Sequence, residues 1–251
     1  MIRPSIRPGC EPFAFGGGPV GVLMVHGFSG SPASMRPMGE WLASQGLSVA
    51  GVRLPGHGTD VEDLRHRTWT EWHEETSRAL TELRGSCRTV VVLGQSMGGA
   101  LAIHLAASRP REVEGLLLLS PYMFDARLVA VPVGRLVLRR VKGIGNDIAM
   151  PGQDETAYDV LPVEAIATMA QLLRLVRAEL PGVHTPALVF EPAKDHTIPP
   201  SNPRKVHAAL GSERKELIRC PRSFHVITLD HDAEMVRERV LSFALELDDG
   251  R

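Results

Sequence analysis

Short, nearly continuous apolar runs alternate along this chain with segments whose apolar residues recur at helical spacing. Such runs suit strands of a parallel sheet that is covered on both faces, because neither side of those strands meets water. We predict strands at Val20–Val25, Leu47–Val52, Thr89–Leu93, Val113–Leu119, Ala187–Phe190 and Glu216–Ile218.

The segments between these runs predict helices. Trp69, Trp72, Leu80 and Leu83 fall on one side of a helix that ends near Gly85. Further helices are predicted at Met97–Ser108, before a proline, around His207, and at Asp232–Glu246. Strands alternating with helices predict an open, mostly parallel α/β sheet, within a single domain of residues 1–251.

Bulk properties narrow the class of protein. The chain has 251 residues with 28 Lys+Arg and 29 Asp+Glu, a balance that argues against a nucleic-acid binder. Its three cysteines are scattered, which fits neither a disulfide framework nor a metal cluster. No apolar run approaches the ~20 residues of a membrane span, and the start lacks a signal-peptide pattern. We expect a cytoplasmic protein, a monomer or weak homo-oligomer, without metal or organic cofactor.

One sequence motif places a candidate nucleophile between a predicted strand and a predicted helix. Gly94-Gln-Ser96-Met-Gly98 is a G-x-S-x-G pattern that directly follows a predicted strand and directly precedes a predicted helix. A sharp strand-to-helix turn exposes the serine oxygen over a helix N-terminus, and the glycines relieve crowding. A small residue in a tight turn would give the same string, but the flanking strand and helix favour Ser96 as a nucleophile.

A second loop fits the needs of a nucleophilic serine. Acyl transfer requires two N–H donors aimed at the oxyanion of the tetrahedral intermediate. One normally comes from the residue after the nucleophile, here Met97. The other comes from an early strand-to-helix loop, and Phe28 in His26-Gly-Phe-Ser-Gly30 is the candidate.

The catalytic acid and base should follow Ser96 in that order. His225 lies in a loop between the last predicted strand and the last predicted helix, with His231 as its competitor at the mouth of that helix. Asp195 follows the strand at Ala187–Phe190 through a short loop, and Glu191 is the alternative acid, closer to the strand end. Asp195 would orient the imidazole and stabilise its protonated form.

The segment 121–162 interrupts the strand–helix alternation. It is too long for an ordinary connection and too apolar to be disordered, so we predict a cap over the active-site end of the sheet. Its stretch 127–142 mixes basic and apolar residues and has no acidic residue. This stretch fits either transient contact with anionic lipid surfaces or a cap helix with a solvated basic face.

Five motifs in order resemble the bacterial monoacylglycerol lipase and small carboxylesterase family of α/β-hydrolases, and the resemblance covers almost the whole chain. The motifs are His26-Gly-Phe-Ser-Gly30, Arg53-Leu-Pro-Gly-His-Gly58, Gly94-Gln-Ser-Met-Gly98, Asp195-His-Thr-Ile-Pro199 and Phe224-His-Val-Ile-Thr-Leu-Asp230. The resemblance implies the triad Ser96, Asp195 and His225, and the oxyanion donors Phe28 and Met97.

The resemblance also implies a substrate site in the cap. In this family the cap supplies an apolar residue near the glycerol pocket and an acidic residue for the glycerol hydroxyls, matched here by Ile144 and Glu155. Gln95 stands where the family pattern has leucine, and we expect its side chain to face away from substrate.

We therefore predict a serine hydrolase that cleaves monoacylglycerols to fatty acid and glycerol. A general short-chain carboxylesterase would share every motif and differ in substrate only. A non-catalytic ligand-binding protein of the same fold, and cofactor-free C–C bond or haloperoxidase-type chemistry, remain open alternatives.

Overall fold

A computed structural model describes residues 4–130, 138–143 and 145–250, and a mostly parallel sheet forms its centre. The described strands are β1 (Phe13–Phe15), β2 (Val20–Val25), β3 (Ser48–Val52), β4 (Thr89–Gln95), β5 (Gly115–Leu119), β6 (Arg140–Lys142), β7 (Val160–Pro162), β8 (Ala187–Pro192) and β9 (Lys215–Cys220). Seven of them form the main sheet in the order β1-β3-β2-β4-β5-β8-β9. Only β1 runs antiparallel to its neighbour, so the predicted parallel α/β sheet is confirmed.

Helices cover both faces of this sheet. They are α1 (Arg36–Ser44), α2 (Val61–Arg65), α3 (Trp69–Arg84), α4 (Met97–Ser108), α5 (Val163–Glu179), α6 (Asn202–Ala209) and α7 (Ala233–Asp249). One apolar cluster joins one face of the sheet to α3, α4 and α5, and a second joins the opposite face to α1 and α7. Successive residues of β2 and β4 alternate between the two clusters, which explains why these strands are apolar throughout.

The start of α3 shows how local sequence sets an element boundary. Thr68 accepts a hydrogen bond from the backbone N–H of Glu71, and the Glu71 carboxylate accepts one from the backbone N–H of Thr68 at 2.7 Å. This reciprocal capping box satisfies two N–H groups that the first helical turn leaves unpaired. The helix ends at Arg84, with Gly85 as its C-cap, as predicted.

The segment 121–162 forms its own small structures beside the main sheet. It contains a short 3-10 helix at Ala126–Ala130, and β6 and β7 pair antiparallel as a separate two-stranded sheet. Tyr158 attaches it to the body of the protein: its hydroxyl donates to the carbonyl of Gly56 and accepts from the N–H of Thr59, both at 2.9 Å. None of the helices in the described ranges is long and apolar enough to cross a membrane.

Candidate active site

Ser96 occupies the sharp turn between β4 and α4. Its φ is +53°, a left-handed conformation that a non-glycine residue adopts only when its surroundings force it. A Cβ at Gly94 would lie 2.2 Å from the carbonyl oxygen of Gly98, and a Cβ at Gly98 would lie 2.2 Å from that of Val25. Both positions therefore require glycine, and the strand–turn–helix context predicted for this motif is present.

The backbone around Ser96 is held from neighbouring elements. The Ser96 N–H donates to the carbonyl of Leu119 on β5 at 2.9 Å, and the Ser96 carbonyl accepts from the N–H of Tyr122 at 3.2 Å. The Ser96 hydroxyl makes no hydrogen bond to another residue of the described ranges. The side chain is thus fixed in position while its oxygen stays available.

His225 and Asp195 form a buried pair. The two atoms His225 Nδ1 and Asp195 Oδ2 are 2.7 Å apart. The other carboxylate oxygen of Asp195 accepts from the N–H groups of Thr197 and Ile198, both at 2.9 Å. With Nδ1–H donating to Asp195, the second ring nitrogen, Nε2, carries the free lone pair that a general base needs.

The competing acid and base are placed elsewhere. Glu191 lies at the end of β8, where it pairs with Arg204 at 2.6 Å between Oε1 and Nε. His231 is exposed just before α7, and His207 lies in α6. Among the alternatives weighed from sequence, only Asp195 and His225 come together.

Neighbouring charges and burial shift the pKa of the His225 imidazole in opposite directions. Burial alone would lower its pKa, but the hydrogen bond and the negative charge of Asp195 outweigh that effect. The negative charges of Glu155 and Asp147 also raise the pKa of His225, which lies above its ordinary value of 6.5.

The proposed oxyanion donors lie on either side of Ser96. Phe28 follows β2 in a loop packed close to the serine, since a Cβ on Gly27 would lie 3.3 Å from Ser96 Cβ. Met97 is the first residue of α4. Within the described ranges, neither backbone N–H has a hydrogen-bond acceptor in the protein. Both are therefore available to a ligand oxygen.

His26 fixes the geometry of the Phe28 loop. Its Nδ1 donates to the carbonyl of Gly27 at 2.8 Å, and its Nε2 accepts from the N–H of Leu54 at 3.2 Å. This arrangement requires a neutral ring, and burial lowers the pKa of His26 to about 4. The Phe28 ring packs edge-on against His57.

A cavity of about 400 Å³ opens over Ser96 and His225. Most of its apolar wall comes from the segment 121–162 and from α5. The apolar lining residues are Phe28, Leu128, Val141, Leu161, Ile166, Met169 and Ile198. A volume of this size, mainly apolar with a few polar groups, is typical of a small-molecule site.

Of the two substrate-binding residues implied by the resemblance, Glu155 and Ile144, the structure describes only Glu155. Glu155 lines the cavity, and burial of its carboxyl group raises its pKa to about 7. Ile144 lies outside the described residues. Gln95 is also among the residues that line the cavity, although its side chain was expected to face away from substrate; its side-chain oxygen accepts a hydrogen bond from Thr228 at 3.2 Å.

Sequence reasoning missed Asp147, a buried carboxylate beside the loops that carry Asp195 and His225. No motif marks it, because its contacts to His196 and Val226 depend on how the segment 121–162 folds back. Within the described ranges, no group of three or more His, Cys, Asp and Glu side chains is arranged to hold a metal ion.

The sheet, the strained serine turn and the buried histidine–carboxylate pair together define an α/β-hydrolase. Residues 20–158 match the protein family described as Serine aminopeptidase, S33, and the chain belongs to this family. The family resemblance expected from the five motifs is confirmed.

Relatives named as lipases and esterases extend over nearly the whole chain. A thermostable monoacylglycerol lipase of Bacillus sp. (strain H-257) is 38% identical over 95% of each chain. A carboxylesterase of Bacillus subtilis (strain 168) is 25% identical over 95% of this chain and 97% of its own. A solved structure from work on LipS and LipT, two metagenome-derived lipolytic enzymes, superimposes with a TM-score of 0.92 at 36% identity, covering 96% of this chain and 100% of that chain.

Proposed function

We propose that the protein is a serine hydrolase of carboxylic esters that cleaves monoacylglycerols to fatty acid and glycerol. The observation that carries this proposal is the buried His225–Asp195 pair, whose His225 lines one mainly apolar cavity together with Ser96. The lipase and esterase relatives support ester chemistry, and the monoacylglycerol lipase among them supports the substrate.

In the proposed reaction, His225 Nε2 takes the proton of Ser96 as the serine oxygen attacks the ester carbonyl carbon. The N–H groups of Phe28 and Met97 donate to the resulting oxyanion. The C–O bond to glycerol then breaks, and His225 gives its proton to the leaving oxygen. Water, deprotonated by His225, attacks the acyl-enzyme, so that the fatty acid leaves and Ser96 recovers its proton.

The cavity walls suggest how such a substrate would lie. We propose that the segment 121–162 serves as a cap, and that the acyl chain packs against its apolar residues and against Ile166 and Met169 of α5. Each buried methylene contributes up to ~0.8 kcal/mol, which favours medium or long chains over acetate. Glu155 would accept hydrogen bonds from the glycerol hydroxyls, with Ile144 as an apolar contact nearby.

Steady-state rates on monoacylglycerols of graded acyl length, beside p-nitrophenyl esters of the same acids, test this proposal. Ser96→Ala should abolish turnover, and Ser108→Ala, at the exposed end of the same helix, should not. Preference for medium or long monoacylglycerols supports the lipase proposal. Activity confined to short activated esters supports a general carboxylesterase, and cleavage of aminoacyl p-nitroanilides would favour a peptidase.

We propose further that the cap makes transient contact with anionic lipid surfaces. In its described part, Leu138 is 52% exposed and is followed by the exposed Arg139, Arg140 and Lys142. Basic side chains beside an exposed apolar one suit such a surface. Cosedimentation with anionic but not neutral vesicles at low salt, weakened by Arg139→Glu, is expected; equal recovery with both vesicle types would refute the contact.

We also propose a cytoplasmic location. Cys10, Cys87 and Cys220 are free thiols, as is usual in a reducing compartment. Fractionation of the native host tests this, and recovery with secreted proteins would contradict it.

A further inference from the structure

One residue of the segment 121–162, Asp147, touches both loops that carry the proposed acid and base. Asp147 Oδ1 lies 2.7 Å from the ring Nδ1 of His196, and Asp147 Oδ2 accepts from the His196 N–H at 2.8 Å. Oδ2 also accepts from the hydroxyl of Thr197 at 3.3 Å. These contacts hold the residues that immediately follow Asp195.

Asp147 and Asp195 share Thr197 between them. The Thr197 N–H donates to Asp195 Oδ1 at 2.9 Å, while its hydroxyl donates to Asp147. Thr197 is thus held by both carboxylates, through its N–H by Asp195 and through its hydroxyl by Asp147. Displacing Thr197 would remove one of the two N–H donors that fix the Asp195 carboxylate.

The backbone of Asp147 reaches the second loop. Its carbonyl oxygen accepts from the N–H of Val226, the residue after His225, at 3.1 Å. The ring of His196 also packs edge-on against Phe224, the residue before His225, with centroids 4.7 Å apart. Both neighbours of His225 are therefore in contact with the Asp147–His196 pair.

The sheet topology explains why this support matters. Among the described strands β9 is the last of the main sheet, so none of them flanks the far side of the loop between β9 and α7 that carries His225. The segment around Asp147 lies there instead, and Asp230 anchors it by accepting from the N–H groups of Ala149 and Met150 at 2.8 and 3.0 Å. Asp230 also accepts from the Phe224 N–H at 2.8 Å.

We propose that Asp147 is a positioning residue that holds the Asp195 loop and the His225 loop in register and adds negative charge near the imidazole. This inference rests on the proposed function, because it assigns roles to Asp195 and His225. Asp147 touches no substrate; it acts through His196, Thr197 and Val226. Its carboxylate is buried, with 8% of the side chain exposed, whereas 59% of the His196 side chain is exposed.

The charge of Asp147 gives the proposal an electrostatic signature. Three carboxylates act on the His225 imidazole, namely Asp195, Glu155 and Asp147, and each raises its pKa. Neutralising Asp147 should therefore lower the pKa of His225, whereas a general loss of stability that leaves the His225–Asp195 contact intact would not.

Asp147→Asn is the main test. The asparagine keeps the size but places an NH₂ group among donors, so we expect kcat on a p-nitrophenyl ester to fall by about 10²-fold through misplacement of the acid and base. The KM should change much less, and the acidic limb of the kcat/KM profile should move to lower pH. Asp159→Asn is the matched control, because it removes the same charge from an exposed position on the same segment.

A second pair of variants covers the case in which Asp147→Asn does not fold. His196→Gln retains a side-chain donor for Asp147, whereas His196→Ala retains none. We expect His196→Ala to lose roughly tenfold in kcat, about the effect of one hydrogen bond, and His196→Gln to recover most of it. The proposal is overturned if folded Asp147→Asn matches Asp159→Asn, or if His196→Ala matches the wild type.

The imidazole titration separates this inference from the proposed function. The pKa of His225, followed by NMR without substrate, should fall in Asp147→Asn relative to Asp159→Asn. Absence of ester turnover, or turnover that survives Ser96→Ala, would refute the proposed function while this titration still reports on Asp147. An unchanged titration with full loss of turnover in Ser96→Ala would refute only the role of Asp147.

Discussion

Asp195 and His225 are 30 residues apart in sequence, yet Oδ2 of Asp195 and Nδ1 of His225 are separated by 2.7 Å. Their side chains are 1% and 6% exposed, so little water screens the attraction between them. The carboxylate therefore favours the protonated imidazole strongly enough to overcome the opposing effect of burial. This balance sets the pH at which His225 can act as a base.

We predict that kcat/KM rises with pH as His225 loses its proton, with a midpoint above 6.5 because the pKa of His225 is raised.

Asp195→Asn should lower kcat by about 10⁴-fold, as in other enzymes with a Ser-His-Asp triad. Glu191→Gln is the control, since Glu191 pairs with Arg204 and should leave kcat nearly unchanged. A larger loss in Glu191→Gln than in Asp195→Asn would reverse the assignment of the acid.

Glu155 should make the preference for glycerol esters depend on pH. Its pKa is about 7, so the fraction with an ionised carboxylate increases between pH 6 and 8. An ionised acceptor binds hydroxyl groups more strongly than a neutral one, by about 1 kcal/mol or fivefold. The kcat/KM ratio of a monoacylglycerol to the p-nitrophenyl ester of the same acid should rise accordingly.

The ratio cancels the titration of His225, because both substrates need the same base. Glu155→Gln should give a ratio that is low and independent of pH. A flat ratio in the wild-type protein would show that Glu155 does not contact the glycerol hydroxyls.

Sequence patterns predicted the features whose physical requirements fall on residues close together in the chain. The central parallel strands β2, β4 and β5 are buried on both faces, and α4 begins and ends at the predicted Met97 and Ser108. Ser96, Asp195 and His225 follow strand ends in a fixed order, which limits the candidates to a few residues. The geometry brings Asp195 and His225 together, as predicted.

Other features depend on contacts that no local pattern records. β1 has three residues and pairs with β3 at the edge of the sheet, too short to show any periodicity. α5 was not predicted; it begins directly after Pro162 and completes the wall of the cavity. Asp147 belongs to the same group, because only the fold places it beside His196.

Tyr158 should contribute more to stability than Tyr122. Tyr158→Phe would leave the N–H of Thr59 and the carbonyl of Gly56 without their buried partner, which typically costs about 1–3 kcal/mol. Tyr122→Phe makes the same chemical change, but Asp125 would keep its hydrogen bonds from Arg127. We expect urea unfolding to give a clearly lower free energy for Tyr158→Phe only; equal losses in the two variants would contradict this account.

Acid should destabilise the protein before most carboxylates are protonated, because two buried histidines must stay neutral. Burial lowers the pKa of His26 to about 4 and that of His57 well below 6.5. At these two histidines the unfolded chain binds more protons than the folded one below pH 6.5, so their contribution to the free energy of unfolding decreases as the pH falls. For His26 the loss begins below 6.5, is complete below about 4, and amounts to roughly 3 kcal/mol.

His57→Gln isolates one of these groups. It removes a titrating ring whose Nε2 has no hydrogen-bond partner within the described ranges, while the amide can still donate to Pro55. Between pH 6.5 and 5, the free energy of unfolding of this variant should depend on pH less steeply than that of the wild type, by up to ~1.4 kcal/mol per pH unit. His231→Gln, at an exposed position, should retain the wild-type slope. If urea unfolding across this pH range gives the same slope for His57→Gln and the wild type, His57 is not the buried neutral group inferred here.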